Sequence, residues 1–217
     1  LNMLNAIEFY QKSPLLKEKA WQALEDQIAE AGYMKNDCAC ILLDIDHFLS
    51  LVEAKGPGIG QSILSKCLRM LQENFASYQV MSYGRDEFMV ILAANGIEDT
   101  TFLAESMRRK LAEVITTAVN ENEISQALGC SAGVAIYPRH AGDAMALLGK
   151  AEEGLYLAKR QGRNRTKLPS GESMVLKSNY YSRIQLERLT ALANKTGQSE
   201  ASLLREALDR FLSDSDI

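Results

Sequence analysis

The sequence predicts an α/β fold with a mixed central sheet that contains a β-hairpin, flanked by helices, plus a small strand–helix–helix unit at the C-terminus. Three observations carry this. Runs with apolar residues at helical spacing alternate with short apolar runs of strand length along most of the chain. Two of the strand-like runs, Tyr78–Ser82 and Glu87–Leu92, are joined through YGRD as a hairpin, so the sheet is expected to be mixed rather than wholly parallel. A polar stretch with Pro169 and Gly171, RTKLPSGES at 165–173, then reads as a linker to a second unit.

The elements follow in order. Residues 1–11 read as a short lead helix. Residues 15–32 place Leu, Trp, Leu and Ile at helical spacing and end on Gly32, a good residue just past a helix. Cys38–Leu43 is an apolar run ending at Asp44, expected as a central strand. GPGIG at 56–60 reads as a breaker, followed by the helical stripe Ile63, Leu64, Cys67, Leu68 and Leu71. After the hairpin come a long helix over Thr101–Val119, a strand over Leu128–Ile136 containing Gly129 and Gly133, and a helix over 144–161 closed by Gly162. Beyond the linker, a short extended stretch precedes helices near Ser182–Lys195 and Glu200–Ser213.

Composition narrows the function classes. Apolar content of 47% and charged content of 24% fit a soluble globular protein, and a net charge of −4 gives no whole-chain field toward nucleic acid or anionic membrane. No apolar run approaches the ~20 residues needed to span a membrane, and no signal peptide opens the chain. A cytoplasmic location is therefore expected. The chain begins at Leu1 rather than Met, which suggests a further upstream domain. Cys38, Cys40, Cys67 and Cys130 lack metal-ligand spacing and are expected to be reduced and buried.

The chemistry lies in two acidic strand ends. Asp44-Ile45-Asp46 closes one strand and Asp86-Glu87 opens another. If the strands are neighbours, three or four carboxylates converge at one sheet edge, a donor set suited to Mg²⁺ bridging to phosphates. Lys159 and Arg163, one turn apart at the end of a helix, could add phosphate contacts. Acids at strand ends also serve simply as solvated caps, so spacing alone leaves both readings open.

LLDIDHF, YGRDEF, SAGVAIYP and AEEGLYLAKRQGRNR occur in the order and approximate spacing of a GGDEF domain, and residues 12–168 resemble that family. It contains the diguanylate cyclases, which make cyclic di-GMP from two GTP. The resemblance implies a GGDEF-type sheet, metal binding by Asp44, the Ile45 carbonyl and Asp86, a catalytic role for Glu87, and phosphate contacts from Lys159 and Arg163. It also exposes departures. Leu49 stands where the family has a phosphate-binding lysine, Val52 where it has a guanine-binding asparagine, and Gln61 where it has an aspartate. Each lost hydrogen bond is worth roughly 0.5–1.5 kcal/mol, so GTP binding is expected to be weakened. Arg85 replaces the signature's second glycine, adding bulk where glycine would permit φ > 0, and charge that could bind a phosphate or pair with Asp86. YQKSPLLKEK stands at the N-terminal motif, with Lys17 and Glu18 at its last two positions, and Phe75 and Tyr78 occupy the inhibitory R-x-x-D positions, so product feedback there is not expected.

Residues 169–174 are then the linker, and 175–217 resemble a ribbon-helix-helix unit. That resemblance implies a dimer whose strand enters DNA, with Lys177 and Asn179 on one face and the helix start near Ser199 seating a phosphate. Residues 170–217 hold six Lys/Arg against seven Asp/Glu, however, which leaves DNA binding, dimerisation and docking to a protein partner all open. The expectation is a catalytically degenerate GGDEF protein acting as a regulator, a homodimer through its tail, with Mg²⁺ and GTP or another nucleotide as candidate ligands. The alternatives are an active diguanylate cyclase and a protein scaffold without DNA binding.

Overall fold

The computed structural model describes residues 13–34, 36–121, 128–170 and 181–196, with individual positions between 200 and 211. The order is α1 (Ser13–Met34), β1 (Asp37–Ile45), α2 (Phe48–Lys55), α3 (Pro57–Asn74), β2 (Gln79–Ser82), β3 (Glu87–Ala94), α4 (Ile97–Glu121), β4 (Cys130–Tyr137), α5 (Ala144–Arg160), β5 (Thr166–Lys167) and α6 (Arg183–Thr196). The sheet runs β2-β3-β1-β4-β5, antiparallel except for the parallel β4–β5 pair. This is the mixed sheet with a β2–β3 hairpin that the sequence leads one to expect. The lead helix over 1–11, most of the linker and all but Tyr181 of the short extended stretch expected over 175–181 lie outside the described residues.

Strand β1 is central and buried on both faces, so it reads as a continuous apolar run instead of an alternating one. Its odd residues Ala39, Ile41 and Leu43 meet α2, α3 and α4 through Leu51, Ile63, Cys67, Met107 and Leu111. Its even residues Cys38, Cys40 and Leu42 meet α1 and α5 through Leu24, Ile28, Leu147 and Ala151. The four cysteines are free and buried as expected, and burial raises all four thiols, Cys38 and Cys67 to about 12. Such thiols are neutral and unreactive at ordinary pH.

Three local expectations need correction. GPGIG breaks the chain only at its first residue, and the rest of it is helical. Gly56, at φ 88, ends α2, Pro57 sits in the first turn of α3, and Gly60 lies inside that helix. Helix α2 was not anticipated, because eight residues straight after a turn are too few to show a period. Thr166–Lys167, read within a linker at 165–173, is edge strand β5. Two residues carry no alternation, and what holds them is tertiary: the Thr166 hydroxyl donates to Glu105 at 2.7 Å.

Helix α5 lies on β4 backbone to backbone. A Cβ at Gly133 would meet the Ala151 carbonyl oxygen at 2.1 Å and the Leu155 nitrogen at 2.3 Å, and a Cβ at Gly154 would meet the Lys167 carbonyl oxygen at 2.7 Å. Asp143 caps the helix, accepting from the Ala146 amide at 2.8 Å. Since backbone cannot yield as a side chain can, Gly133→Ala should cost about 3 kcal/mol, read from the urea midpoint. Gly149→Ala, on the same helix with nothing within 4 Å of an added Cβ, should gain about 1 kcal/mol.

Candidate functional site

The antiparallel β1–β3 register sets Asp44 opposite Glu87, with Asp86 one residue earlier. Asp44 and Glu87 share the sheet face of Cys40, Leu42, Met89 and Ile91, the face covered by α1 and α5. The Ile45 amide donates to the Asp86 carbonyl at 3.2 Å and ties the strand ends together. Asp44 is 5% exposed. Burial, then the neighbouring Asp86, push its carboxyl up to about 7, against the pull of Lys159. Burial also raises Asp86 and Glu87 above the usual carboxylate range.

Lys159 Nζ lies 2.7 Å from Asp44 Oδ2, so the expected basic residue does join the acids. Arg163 does not stand one turn further along the helix. Helix α5 ends at Arg160, and Arg163 follows in a turn at φ 62, beside Asp46, His47 and Gly129 around a cavity of about 230 Å³. Arg85 also departs from expectation: it is exposed and does not take positive φ, so the turn accepts an arginine without backbone strain. Its charge lowers Asp86's pKa, though less than burial raises it. The demanding position is Gly84, where a Cβ would meet Glu87 Oε2 at 2.3 Å.

The acids do not all converge. Strand β1 ends at Ile45, and Asp46 turns to a different set of partners. Its Oδ1 accepts from the Ser131 hydroxyl at 2.7 Å and its Oδ2 from the Asn164 amide at 3.0 Å. Asp46 is thus committed to protein hydrogen bonds. Of the positions that differ from the family pattern, Leu49 is 46% exposed on α2 and Gln61 is exposed on α3. Val52 is partly buried against the core, and a Cβ at Gly60 would meet its Cγ2 at 2.7 Å. Phe75 is in the core with the Lys110 ammonium 5.2 Å from its ring centre, and its carbonyl accepts from the Tyr78 amide.

Two residues of this site, Tyr83 and Glu152, were not singled out from the sequence, and a third, Lys17, was placed only by its motif. The Tyr83 hydroxyl donates to Glu152 Oε1 at 3.0 Å, and the Lys17 ammonium lies 4.8 Å from the Tyr83 ring centre. After burial, Lys17 is the strongest influence on Glu87 and favours its ionised form. All three lie inside quoted motifs, YQKSPLLKEK, YGRDEF and AEEGLYLAKRQGRNR. What was missing was the fold that brings α1 and α5 over the hairpin. Lys177, Asn179 and Ser199 lie outside the described residues.

The sequence profile of the family described as diguanylate cyclase, GGDEF domain matches residues 17–165. The chain belongs to the GGDEF family. It is 33% identical over 143 residues to the diguanylate cyclase DosC of Escherichia coli, a match covering 65% of this chain and 30% of DosC. A diguanylate cyclase of Vibrio cholerae is 27% identical over 150 residues, covering 69% of this chain and 45% of the relative. The chain thus spans less than half the length of these two relatives. Among solved structures, the active GGEEF domain of a Vibrio cholerae diguanylate cyclase superposes with a TM-score of 0.64 at 25% identity, over 72% of this chain and 97% of that one.

The GGDEF site fits a phosphate-bridging Mg²⁺ better than an all-protein metal cage. Among the described residues no three His, Cys, Asp or Glu side chains form a metal cluster. Magnesium commonly takes one or two carboxylates and leaves its other positions to water and phosphate oxygens. Asp44 and Asp86 could supply that pair, and burial raises both carboxyls despite the nearby Lys159.

If Mg²⁺ sits on Asp44 and Asp86, protons should compete with it. Between pH 3.8 and about 7 folded Asp44 keeps a proton that the unfolded chain has released, so its contribution to stability is lost as pH rises through that window. Mg²⁺ should offset the loss, raising Tm more at pH 8 than at pH 6. Asp44→Asn should reduce the pH dependence of the Mg²⁺ effect, leaving the part due to Asp86.

Proposed function

We propose that this chain is a regulatory GGDEF protein that keeps a seat for magnesium and nucleotide phosphates but has lost guanine recognition and efficient cyclase turnover. The observation that carries the reading is Val52. The side chain at the expected guanine-binding position is engaged in packing against Gly60 and the core, and it can form no hydrogen bond to a base. Leu49 and Gln61 remove two further expected contacts. A pocket whose partners for a base are apolar loses the means of telling one base from another.

In this reading Asp44, the Ile45 carbonyl and Asp86 hold the metal, while Lys159, Arg163 and Arg85 meet phosphate oxygens. Bound Mg²⁺ would neutralise charge on the phosphates. Glu87 stands at the catalytic position and would hold or pass a proton there if turnover occurs. The C-terminal unit joins two copies. Tyr181, Ile184, Leu186 and Leu192 expose apolar surface at and around α6, and a groove of about 430 Å³ runs between this helix and Leu204. The acidic balance of residues 170–217 favours pairing of copies over a DNA role for Lys177, Asn179 and Ser199.

Incubation with GTP and Mg²⁺, followed by chromatography, should yield no cyclic di-GMP above background. Calorimetry should give GTP and ATP affinities within about threefold of each other, because the base adds little discrimination. Cyclic di-GMP formation that is abolished by Asp86→Ala would establish an active cyclase instead. Leu49→Lys combined with Val52→Asn should restore a preference for GTP over ATP of about tenfold.

A further inference from the structure

We infer that Arg108, on α4, is a positioning residue that acts through Asn164 to fix the turn carrying Arg163. The inference rests on the proposed phosphate role of Arg163 and adds the residues that place it.

Gly162, Arg163 and Asn164 take φ values of 110, 62 and 48 in succession. Two consecutive non-glycine residues in the left-handed region are costly and persist only where their surroundings over-determine them. The surroundings here are specific. Arg108 is 7% exposed and forms a two-pronged pair with Glu105, Nε to Oε2 at 2.8 Å and Nη2 to Oε1 at 2.7 Å. Its remaining nitrogen, Nη1, donates to Asn164 Oδ1 and, at 3.5 Å, to the Cys130 carbonyl.

The same ion pair grips the chain again past the turn, since the Thr166 hydroxyl donates to Glu105. Asp46 holds the Asn164 amide from the other side at 3.0 Å. Gly129 permits this approach: a Cβ there would lie 3.1 Å from Asp46 Oδ2 and 3.2 Å from Asn164 Cβ. Arg163 itself is fixed along its backbone, its amide donating to Ala158 and its carbonyl accepting from Arg165 Nε, both at 2.9 Å. Its side chain stays exposed beside the cavity it shares with Asp46 and His47. A buried guanidinium thus holds one short turn that carries the proposed phosphate ligand.

The experiment compares Asn164→Gly and Arg108→Gln with Arg163→Ala. Glycine at 164 keeps the left-handed freedom and loses only the acceptor, so this variant should fold even if Arg108→Gln does not. Binding of GTP and of Mg²⁺-pyrophosphate, a probe without a base, is measured by calorimetry, and amide hydrogen exchange follows residues 163–166. Both positioning variants should bind pyrophosphate about tenfold more weakly. Asn164→Gly combined with Arg163→Ala should be no weaker than Arg163→Ala alone, because both act through one side chain. Exchange at 163–166 should rise while β1 and β3 keep their protection. Weakened binding in Arg163→Ala with none in Asn164→Gly or Arg108→Gln would overturn the inference. If the unaltered protein binds neither probe, the proposed phosphate seat fails. Exchange then decides alone: a rise at 163–166 in Asn164→Gly supports the positioning role, and unchanged exchange overturns it.

Discussion

The contact between Gly133 of β4 and the α5 backbone sets the geometry on which the site depends. With no side chain between them, α5 comes closer to the sheet than an alanine at 133 would allow. That approach carries Lys159 to within 2.7 Å of a carboxylate buried at the end of β1. A buried carboxylate alone is costly and tends to take up a proton. Asp44 shows that tension: it has a lysine partner, yet burial and Asp86 still raise its pKa to about 7. The fold therefore builds a place deficient in positive charge, which a divalent cation would relieve.

The two acids of D-x-D do different work. Asp44 faces α5 and the hairpin, and its charge remains incompletely compensated. Asp46, past the strand end, has each oxygen bonded to protein and meets the turn next to Arg108. One acid pairs with a lysine side chain of α5, and the other with groups of β4 and the turn. The difference follows from where β1 stops: the first acid is held by strand register, and the second is released into a turn against β4 and the loop at 162–164.

Much of this could be read in the sequence. The strand β1, the hairpin, the long α4 and the capped α5 have periodic or apolar signatures, and the motifs located Asp44, Asp86, Glu87 and Lys159. Elements whose cause is tertiary were hidden. Helix α2 is too short to show a period, β5 exists because β4 and Glu105 hold it, and GPGIG opens a helix because Gly60 lets α3 approach Val52 and Phe48. The roles of Lys17, Tyr83 and Glu152 depend on contacts among three distant segments. Arg85 was misjudged for a different reason. A glycine in a motif suggests a conformational need, but the backbone at 85 has none, and the steric demand belongs to Gly84.

The separation of these parts explains how one half of the site can change without the other. Asp44, Glu87 and Lys159 are held by β1, β3 and α5, on the face packed by Leu42, Met89 and Ala151, with Asp86 in the turn just before β3. Leu49, Val52 and Gln61 belong to α2 and α3, whose contacts lie in the opposite core with Phe48, Leu51 and Ile63. An apolar residue at 52 packs against Gly60 and removes a polar group that would otherwise need a partner. Nothing in that exchange touches the register between Asp44 and Glu87 or the crossing of α5 at Gly133. The two sets of residues thus pack on opposite faces of the sheet, and in the proposed reading a change at 49, 52 or 61 would leave the acids at the ends of β1 and β3 in register.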